Sequence, residues 1–192
     1  MPFINIVSMA LDFYCKLISQ LSQQCNMTEL KMAAPEDWQT IQTIAYHTWP
    51  HTFGEAMPKE QIDYMLALIY NEQSLKQQMI TGRHQFLLTL NNADPVGFAS
   101  YELNYRNAPQ LMIHKIYLLP QSQGLGIGTK IFDYLTGVAK MNEQKQLRLK
   151  VFYKNEKAAG FYRKYGFTIA GTESADIGNG YIILDNVMEM QI

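Results

Sequence analysis

The sequence predicts an α+β domain of three layers, in which a mixed, mostly antiparallel central sheet carries helices on both faces. Three observations lead to this class. Apolar residues recur at helical spacing between residues 35 and 80. Strand-like runs separated by turn clusters follow and form a meander. Beyond residue 118, helical and strand patterns alternate to the C-terminus, and this order favours a mixed sheet with helices on both faces.

The first half of the predicted domain begins with a short strand and continues through three helical segments. The strand covers residues 30–33, and Pro35 then starts a helix at its first position, where the missing N–H would have no partner anyway. That helix is expected to stop before Pro50. A second helix is predicted from about Lys59 and a third over residues 74–80.

The remaining elements follow from turn clusters, apolar spacing and one helix cap. Strands are predicted at residues 84–90, 96–103 and 111–118. The helix after residue 126 has an apolar stripe formed by Ile127, Ile131, Leu135 and Val138. After it come a strand at 147–152, a helix from Asn155 to Tyr165, and strands at 168–175 and 181–189.

Composition restricts the class of protein. A length of 192 residues with 47% hydrophobic content suits one domain with one good core. A net charge of −1 provides no basic field for nucleic acid, so a nucleic-acid partner is not expected. Two cysteines, Cys15 and Cys25, are too few for a disulfide framework and suit a reducing cytoplasm.

The first 26 residues are set apart from the rest as an N-terminal extension. They contain no apolar span long enough for a membrane helix and lack the basic start and cleavage site of a secretory signal. We therefore expect no membrane partner. The segment is interpreted as an amphipathic helix or as the product of an upstream start codon, because Met27 would itself be a plausible start. The domain is predicted to cover residues 28–192.

The most informative stretch joins the strand that ends at residue 118 to the helix after residue 126. Three glycines at alternate positions, Gly124, Gly126 and Gly128, leave main-chain N–H groups open to a ligand. The helix that begins there adds its free amides and the positive end of its dipole. The stretch therefore predicts a phosphate-binding site.

Two common phosphate-binding motifs do not fit this spacing. A dinucleotide fingerprint G-x-G-x-x-G needs a third glycine. If the motif starts at Gly124, that position is Thr129, and if it starts at Gly126, it is Ile131. A P-loop needs G-K-[ST], whereas lysine follows threonine here, as Thr129-Lys130. A nucleotide-dependent enzyme is therefore disfavoured.

The stretch resembles the acyl-CoA-binding segment of the GNAT superfamily of N-acetyltransferases, [QR]-x-x-G-x-[GA] after a strand. Gln123, Gly126 and Gly128 match it. Residues 147–167 resemble the second CoA-side motif of that family, a strand followed by N-x-x-A-x-x-[FL]-Y-x-x-x-G-F. Two motifs in the right order are more specific than either one. The resemblance implies a GNAT-like fold over residues 28–192, with acetyl-CoA as cosubstrate and no metal.

The resemblance also implies how the cosubstrate binds. Amides of the loop would cradle the CoA pyrophosphate, and the end of the preceding strand would pair its main chain with the pantetheine arm. A backbone N–H at Leu118 or nearby would polarise the thioester carbonyl. Asn155 is a good N-cap on propensity alone, and the matching family residue touches the CoA arm. The predicted cosubstrate-binding residues are Ile116, Tyr117, Leu118, Gln123, Gly124, Leu125, Gly126, Ile127, Gly128, Thr129 and Asn155.

Tyr162 is the candidate general acid. In the family the matching tyrosine lies beside the thioester sulfur, where a phenol can give a proton to the thiolate. The same ring could instead be a core tyrosine, because its helix also carries Phe161 and Tyr165. No cysteine follows Cys25 that could carry an acyl group, so direct attack in a ternary complex is expected.

The general base is defined less well by the sequence. Family members often place a glutamate on the central strand, but Met112 stands at the nearest matching position. His114 is predicted to share a strand face with Met112, Ile116 and Leu118, and an unperturbed histidine pKa of about 6.5 suits proton transfer. Glu102 on the adjacent strand could act through water, and a chain of ordered waters is a further route.

Acceptor selectivity is expected from the first two helices, their connecting loop and the last two strands. Aromatic rings beside carboxylates suit a small cationic amine. Residues 49–84 faintly resemble bacterial polyamine acetyltransferases, although ordinary helix packing explains this segment equally well. The candidates are Trp49, His51, Phe53, Glu55 and Asp185.

The sequence thus predicts an acetyl-CoA-dependent N-acetyltransferase that acts on a primary amine. The acceptor is a small amine such as a polyamine, or an amino group of a protein or peptide. The alternative is a non-catalytic acyl-CoA-binding sensor or interaction module on the same fold. Acceptor identity, acyl chain and oligomeric state are not readable from the sequence, and a homodimer is left open.

Overall fold

The computed structural model describes residues 27–81 and 83–192. The predicted extension, residues 1–26, lies outside the described residues. Within the described ranges the elements, in chain order, are β1 Thr28–Met32, α1 Trp38–Phe53, α2 Lys59–Ile69, α3 Glu72–Ile80, β2 Gln85–Asn91, β3 Asp94–Glu102, β4 Gln110–Leu118, α4 Ile127–Met141, β5 Gln146–Phe152, α5 Glu156–Tyr165, β6 Thr168–Asp176 and β7 Ile182–Gln191. None of these helices is long and apolar enough to cross a membrane.

The seven strands form one sheet in the order β1-β2-β3-β4-β5-β7-β6. Every neighbouring pair is antiparallel except β4 and β5, which are parallel because α4 crosses between them. The predicted fold class, a mixed and mostly antiparallel sheet in an α+β domain, is confirmed.

Helices cover both faces of the sheet, as predicted. On one face, α4 and α5 pack against the strands in a buried cluster that includes Ile131, Phe132, Leu135, Leu149 and Phe167. On the opposite face, α1, α2 and α3 pack in a second buried cluster, which includes Ile41, Trp49, Leu66, Tyr70 and Phe98. We call these two faces the α4–α5 face and the α1–α3 face.

The prediction that the first helix stops before Pro50 is wrong. Helix α1 continues to Phe53, and the Gly54 N–H donates to the Pro50 carbonyl at 2.9 Å to close its last turn. Proline removes one backbone hydrogen bond, but Trp49 and Phe53 are only 4% and 8% exposed. Burial of these two rings compensates for the lost bond and holds the final turn in the helix.

Strands β4 and β5 diverge towards their C-terminal ends. Their pairing begins at Gln110 and ends where Ile113 meets Leu149, although β4 runs on to Leu118 and β5 to Phe152. The strand ends beyond this point are not paired with each other. The sheet therefore opens into a wedge between β4 and β5, next to the start of α4.

A β-bulge lies on β4 just where the wedge opens. Ser100 pairs with Lys115, whereas the next residue of β3, Tyr101, pairs with Ile113. His114 is therefore the extra residue on β4.

The bulge corrects one prediction about His114. Ile116 and Leu118 pack with the α4–α5 cluster, whereas Tyr117 packs with the α1–α3 cluster. His114 is bonded to Glu102 on the α1–α3 side, so it does not share a face with Ile116 and Leu118. One inserted residue reverses the alternation of side chains along the rest of the strand.

Candidate functional site

Residues 123–129, the glycine loop, have the backbone geometry of an anion site. Gly124 and Gly126 have φ values of +80° and +76°, in the left-handed region that L side chains rarely adopt. The nearest backbone hydrogen bonds on either side of the loop are donated by the N–H groups of Gln123 and Lys130. Among the described residues, the amides between those two have no backbone acceptor. They lie at the N-terminus of α4, where free amides and the helix dipole favour phosphate.

The last glycine of the loop has a different purpose from the first two. A Cβ at Gly126 would meet nothing within 4 Å, so glycine is needed there for conformation alone. A Cβ at Gly128 would lie 3.2 Å from Cζ of Phe161, so glycine at this position lets α4 pack closely on α5. The neighbouring Ile127 is 1% exposed, and only its main chain reaches the loop.

Two side chains tie the glycine loop to its surroundings. Nε2 of Gln123 donates to the Leu118 carbonyl at 3.2 Å, and its Oε1 accepts from Nζ of Lys157 at 2.7 Å. Asn155 caps α5, because its Oδ1 accepts from the Ala158 N–H at 3.1 Å as its propensity predicts. Lys157 brings a positive charge to the loop that the sequence analysis missed, since only the packing of α5 places it there.

The end of β4 is held in place by β3. A Cβ at Gly97 would lie 2.6 Å from the Tyr117 carbonyl oxygen and would also overlap the Leu118 side chain, so only glycine allows this approach. The Leu119 N–H donates to the Val96 carbonyl at 2.8 Å. One edge of β4 is thus fixed by β3, while the edge towards β5 stays open for an extended ligand to pair with it.

Tyr162 lies on α5 with its ring packed among aromatic neighbours. The centroid of its ring is 5.6 Å from that of Phe132 and 6.2 Å from that of Phe167. Burial raises the pKa of Tyr162 to about 12, and no hydrogen bond within the described chain contributes. Burial also raises the pKa of Tyr117, with the charges of Tyr162 and Asp185 adding to the rise. Tyr162 is therefore a protonated hydroxyl near the end of β4 that has no hydrogen-bond partner among the described residues.

The two predicted base residues form a pair. Nε2 of His114 lies 3.0 Å from Oε2 of Glu102, and both side chains are 17% exposed. The His84 ring stacks on that of His114 with centroids 3.9 Å apart and planes 9° apart. Burial, with a smaller effect of Lys115, lowers the pKa of His114 to about 4. His114 is therefore neutral at pH 7.

His84, Glu102 and His114 also offer potential metal ligands, since one donor atom from each lies within 4.8 Å of the others. The two imidazole planes are stacked almost parallel, however. A ligand nitrogen binds a metal in the plane of its ring, so both rings cannot point at a common ion in this arrangement. The geometry fits a stacked histidine pair better than a metal centre.

The structure divides the five predicted acceptor residues into two groups. Trp49 and Phe53 are buried in the core of the α1–α3 face, whereas His51 and Glu55 are exposed on the other side of the same helical segment. Asp185 lies on β7, paired with the end of β5, and burial raises its pKa. Trp49, Phe53 and Asp185 lie near the ends of β4 and β5, because the Trp49 ring is 6.0 Å from that of Tyr117 and the Phe53 ring is 6.1 Å from that of Phe152, which pairs with Asp185. Of the five residues, Asp185 alone combines this position with a charged group.

His51 contributes instead to a separate groove. This groove has a volume of about 560 Å³ and lies between α1 and the segment after β4, with His47 and Pro120 among its lining residues. Its lining includes Leu119, Pro120 and Gln121 from the end of β4 onwards, but neither Asp185 nor any residue of the glycine loop.

A polar surface lies on the α1–α3 face beside the wedge, and we call it the polar floor. It consists of Glu102, His114, Lys115, Lys150, Glu173 and Asp185. The carboxylate of Glu173 is shared among Lys150, at 2.6 Å, Arg148, at 3.1 Å, and the more distant Arg106. Sequence reasoning missed Lys115, because the bulge decides which face it occupies.

A wedge between two parallel strands, next to a glycine loop that opens a helix, is the arrangement expected of the acyl-CoA-dependent transferases that the sequence motifs resemble. Residues 38–167 match the family model described as Acetyltransferase (GNAT) family. The chain therefore belongs to the GNAT family of acetyltransferases and is an N-acetyltransferase.

Two curated relatives show the breadth of acceptors in the family. The spermidine N(1)-acetyltransferase of Thermoplasma acidophilum is 22% identical over 152 residues, which cover 77% of this chain and 92% of that protein. The peptidyl-lysine N-acetyltransferase YjaB of Escherichia coli is 29% identical over 100 residues, covering 51% of this chain and 60% of that protein.

A solved structure confirms the fold. The PaiA N-acetyltransferase of Thermoplasma acidophilum, determined in complex with coenzyme A, superposes with a TM-score of 0.73 at 21% identity, covering 86% of this chain and 99% of that one. At this identity the likeness is evidence for the fold alone.

Proposed function

We propose that the chain acetylates a primary amine by direct attack on acetyl-CoA bound in the wedge between β4 and β5. The observation that carries the proposal is the meeting of three features at one end of β4. These are the free amides of the glycine loop, the open strand edge and the unpaired hydroxyl of Tyr162. The amides suit a diphosphate, and the strand edge suits the amide-bearing arm of CoA.

The reaction exchanges one bond for another. The amine nitrogen attacks the thioester carbonyl carbon, a C–N bond forms and the C–S bond breaks. The nitrogen loses one proton and the departing thiolate gains one, so the reaction needs no external oxidant or reductant. A main-chain N–H near Leu118 would stabilise the negative charge that develops on the carbonyl oxygen.

Tyr162 acts on the leaving sulfur. Its raised pKa of about 12 keeps the hydroxyl protonated, so it is always available as a donor. A thiol has a pKa of about 8.5, so full proton transfer from Tyr162 to a free thiolate is uphill. The hydroxyl therefore stabilises the developing thiolate mainly through a hydrogen bond, and solvent replaces any proton that it gives up.

His114 and Glu102 are the proposed proton acceptors. A histidine with a pKa of about 4 is too weak to deprotonate an ammonium group, so the amine must lose that proton to water first. After attack the nitrogen carries a positive charge and becomes far more acidic. The pair can then accept the proton through ordered water, with Glu102 stabilising the imidazolium that forms.

Thiol release from acetyl-CoA tests the proposal directly. Wild-type protein and Tyr162→Phe are assayed against polyamines, amino acids and short peptides. We expect release that depends on the amine and is lost in the variant. Tight CoA binding without release for any amine would favour the non-catalytic sensor.

A cytoplasmic location, suggested by the sparse cysteines, and a homodimer both stay predictions.

A further inference from the structure

Lys115 is a cation on the polar floor without a counter-ion among the described residues. Its Nζ donates to the neutral Oε1 of Gln78 at 2.7 Å and lies 5.4 Å from the centre of the Phe86 ring. Burial lowers the pKa of Lys115 to about 8, and no carboxylate in the described chain opposes that shift. A buried cation whose partners are an amide and an aromatic ring lacks the pairing that normally accompanies burial.

Asp185 is the complementary case, because it is a carboxylate to which no described residue donates a hydrogen bond. Burial raises its pKa, Lys150 lowers it by charge alone, and Glu173 raises it again. Its neighbours cannot neutralise it, because Lys150 already pairs with Glu173 at 2.6 Å. Asp185 is only partly buried, and its partner Phe152 lies at the end of β5 that is not paired with β4.

Tyr117 lies between these two charges. It shares a strand face with Lys115 two residues away, a separation of roughly 7 Å along a strand. The charge of Asp185 also contributes to the raised pKa of Tyr117. A cation, a tyrosine and a carboxylate therefore follow one another along this part of the α1–α3 face, and the carboxylate lies opposite Phe152, the last residue of β5, at the wide end of the wedge.

We propose that the acceptor is an amine that also carries a carboxylate, an amino-acid-type molecule whose amine end faces Asp185 and whose carboxylate binds Lys115. The proposal rests on the proposed function, because it takes the floor to be the acceptor side of an acetyltransferase. A carboxylate would give Lys115 its missing counter-ion through a charge-assisted hydrogen bond. A polyamine would bring a second positive charge towards Lys115, which repels it.

Matched amines that differ by a single carboxylate test the proposal. The pairs are L-lysine with cadaverine and L-ornithine with putrescine, whose side-chain amines are far enough from the carboxylate to span the floor, each assayed for kcat/KM at pH 7 with saturating acetyl-CoA. We expect the carboxylate-bearing member to be favoured by about 10–100-fold in at least one pair, the range for one charge-assisted hydrogen bond. Equal or better use of the decarboxylated member in every pair would overturn the proposal.

Three variants separate the role of Lys115 from general damage. Lys115→Met should lower kcat/KM for the carboxylate-bearing amine by about 10–100-fold, whereas kcat/KM for its decarboxylated partner should stay the same or rise, because the repelling charge is gone. Lys115→Arg should keep most of the preference, since it keeps the charge. Lys150→Met removes a cation already paired with Glu173 and should affect both members of a pair equally. An equal effect of Lys115→Met on both members would contradict the proposal.

A binding measurement keeps this result distinct from failure of the proposed function. In the presence of CoA, the thermal shift given by each amine is measured without any turnover. A shift from the carboxylate-bearing amine that is absent in Lys115→Met supports the proposal even if no amine is acetylated. Equal shifts from both members of each pair, or a shift that survives Lys115→Met, refute it even if the protein proves to be an active acetyltransferase.

Discussion

The proposed cosubstrate side and the proposed acceptor side of the wedge are built in different ways. The cosubstrate side consists of one continuous segment, residues 123–129, whose ligand groups are main-chain amides in a left-handed turn. The acceptor side is a surface of charged side chains contributed by strands far apart in the chain, from Glu102 on β3 to Asp185 on β7. The first is defined by local backbone conformation, and the second by tertiary pairing.

This difference explains why ligand binding on the cosubstrate side depends little on side chains, whereas ligand binding on the acceptor side depends on them. Main-chain amides bind a diphosphate whichever side chains surround them, provided that the φ angles are accessible. The polar floor depends on which charges remain uncompensated after Glu173 pairs with Lys150 and Arg148. Variants on the cosubstrate side should therefore affect every acceptor alike, whereas variants on the floor should discriminate among acceptors.

The largest expected effect comes from Tyr162→Phe, which keeps the ring and removes only the hydroxyl. We expect kcat to fall by about 10²–10⁴-fold for all acceptors, the range for a proton donor, with unchanged affinity for acetyl-CoA. Tyr165→Phe is the matched control, because it removes a hydroxyl from the same helix that bonds Asp133 at 2.8 Å. An undiminished kcat for Tyr162→Phe under conditions where chemistry limits turnover would exclude the role.

The next effect is on cosubstrate binding. Gly126→Asp places a carboxylate at the phosphate site and a Cβ on a left-handed residue. Acetyl-CoA at 100 times its Kd should stabilise the wild type by about 2.7 kcal/mol, and the variant should lose most of this gain in a thermal-shift assay. Gly137→Asp introduces the same group within α4, where a Cβ meets nothing within 4 Å. If both variants keep the wild-type shift, the loop is only a turn.

A smaller effect is expected from the histidine pair. His114→Gln should lower kcat/KM by about 10–10²-fold if His114 accepts the proton. Because burial lowers its pKa to about 4, the basic form is present above that value and is lost only as pH falls through it. A plot of kcat/KM against pH should therefore show no limb, that is, no fall in kcat/KM from histidine protonation, near pH 6.5. A limb at that pH which disappears in His114→Gln would contradict the lowered pKa.

The smallest effect concerns pH and acceptor preference. Lys115 is cationic below its pKa of about 8 and neutral above it, so the preference for a carboxylate-bearing amine should weaken several-fold between pH 7 and 9.5. Its neighbours Gln78, His84 and His114 carry no charge in this interval. Lys115→Arg should keep its preference at pH 9.5, because arginine stays protonated. A preference that declines equally in both proteins would point to another group.

The sequence alone was sufficient for the fold class and for the local parts of the site. The predicted strand, glycine loop and helix over residues 111–142 appear in the structure, and so does the cap at Asn155. These features depend on φ angles, apolar spacing and a side chain three residues from its partner. Such information lies within a short stretch of chain and is readable without knowing what packs against it.

The tertiary structure decided the rest, for reasons that can be stated residue by residue. Pro50 stays inside α1 because the burial of Trp49 and Phe53 outweighs a local helix-breaking preference. His114 and Lys115 take their faces from a bulge whose only sign is a shift in pairing with β3. The charge state of a floor residue depends on partners from other strands. Neither a register shift nor the pairing of distant charges is written in local sequence, so only the folded sheet determined them.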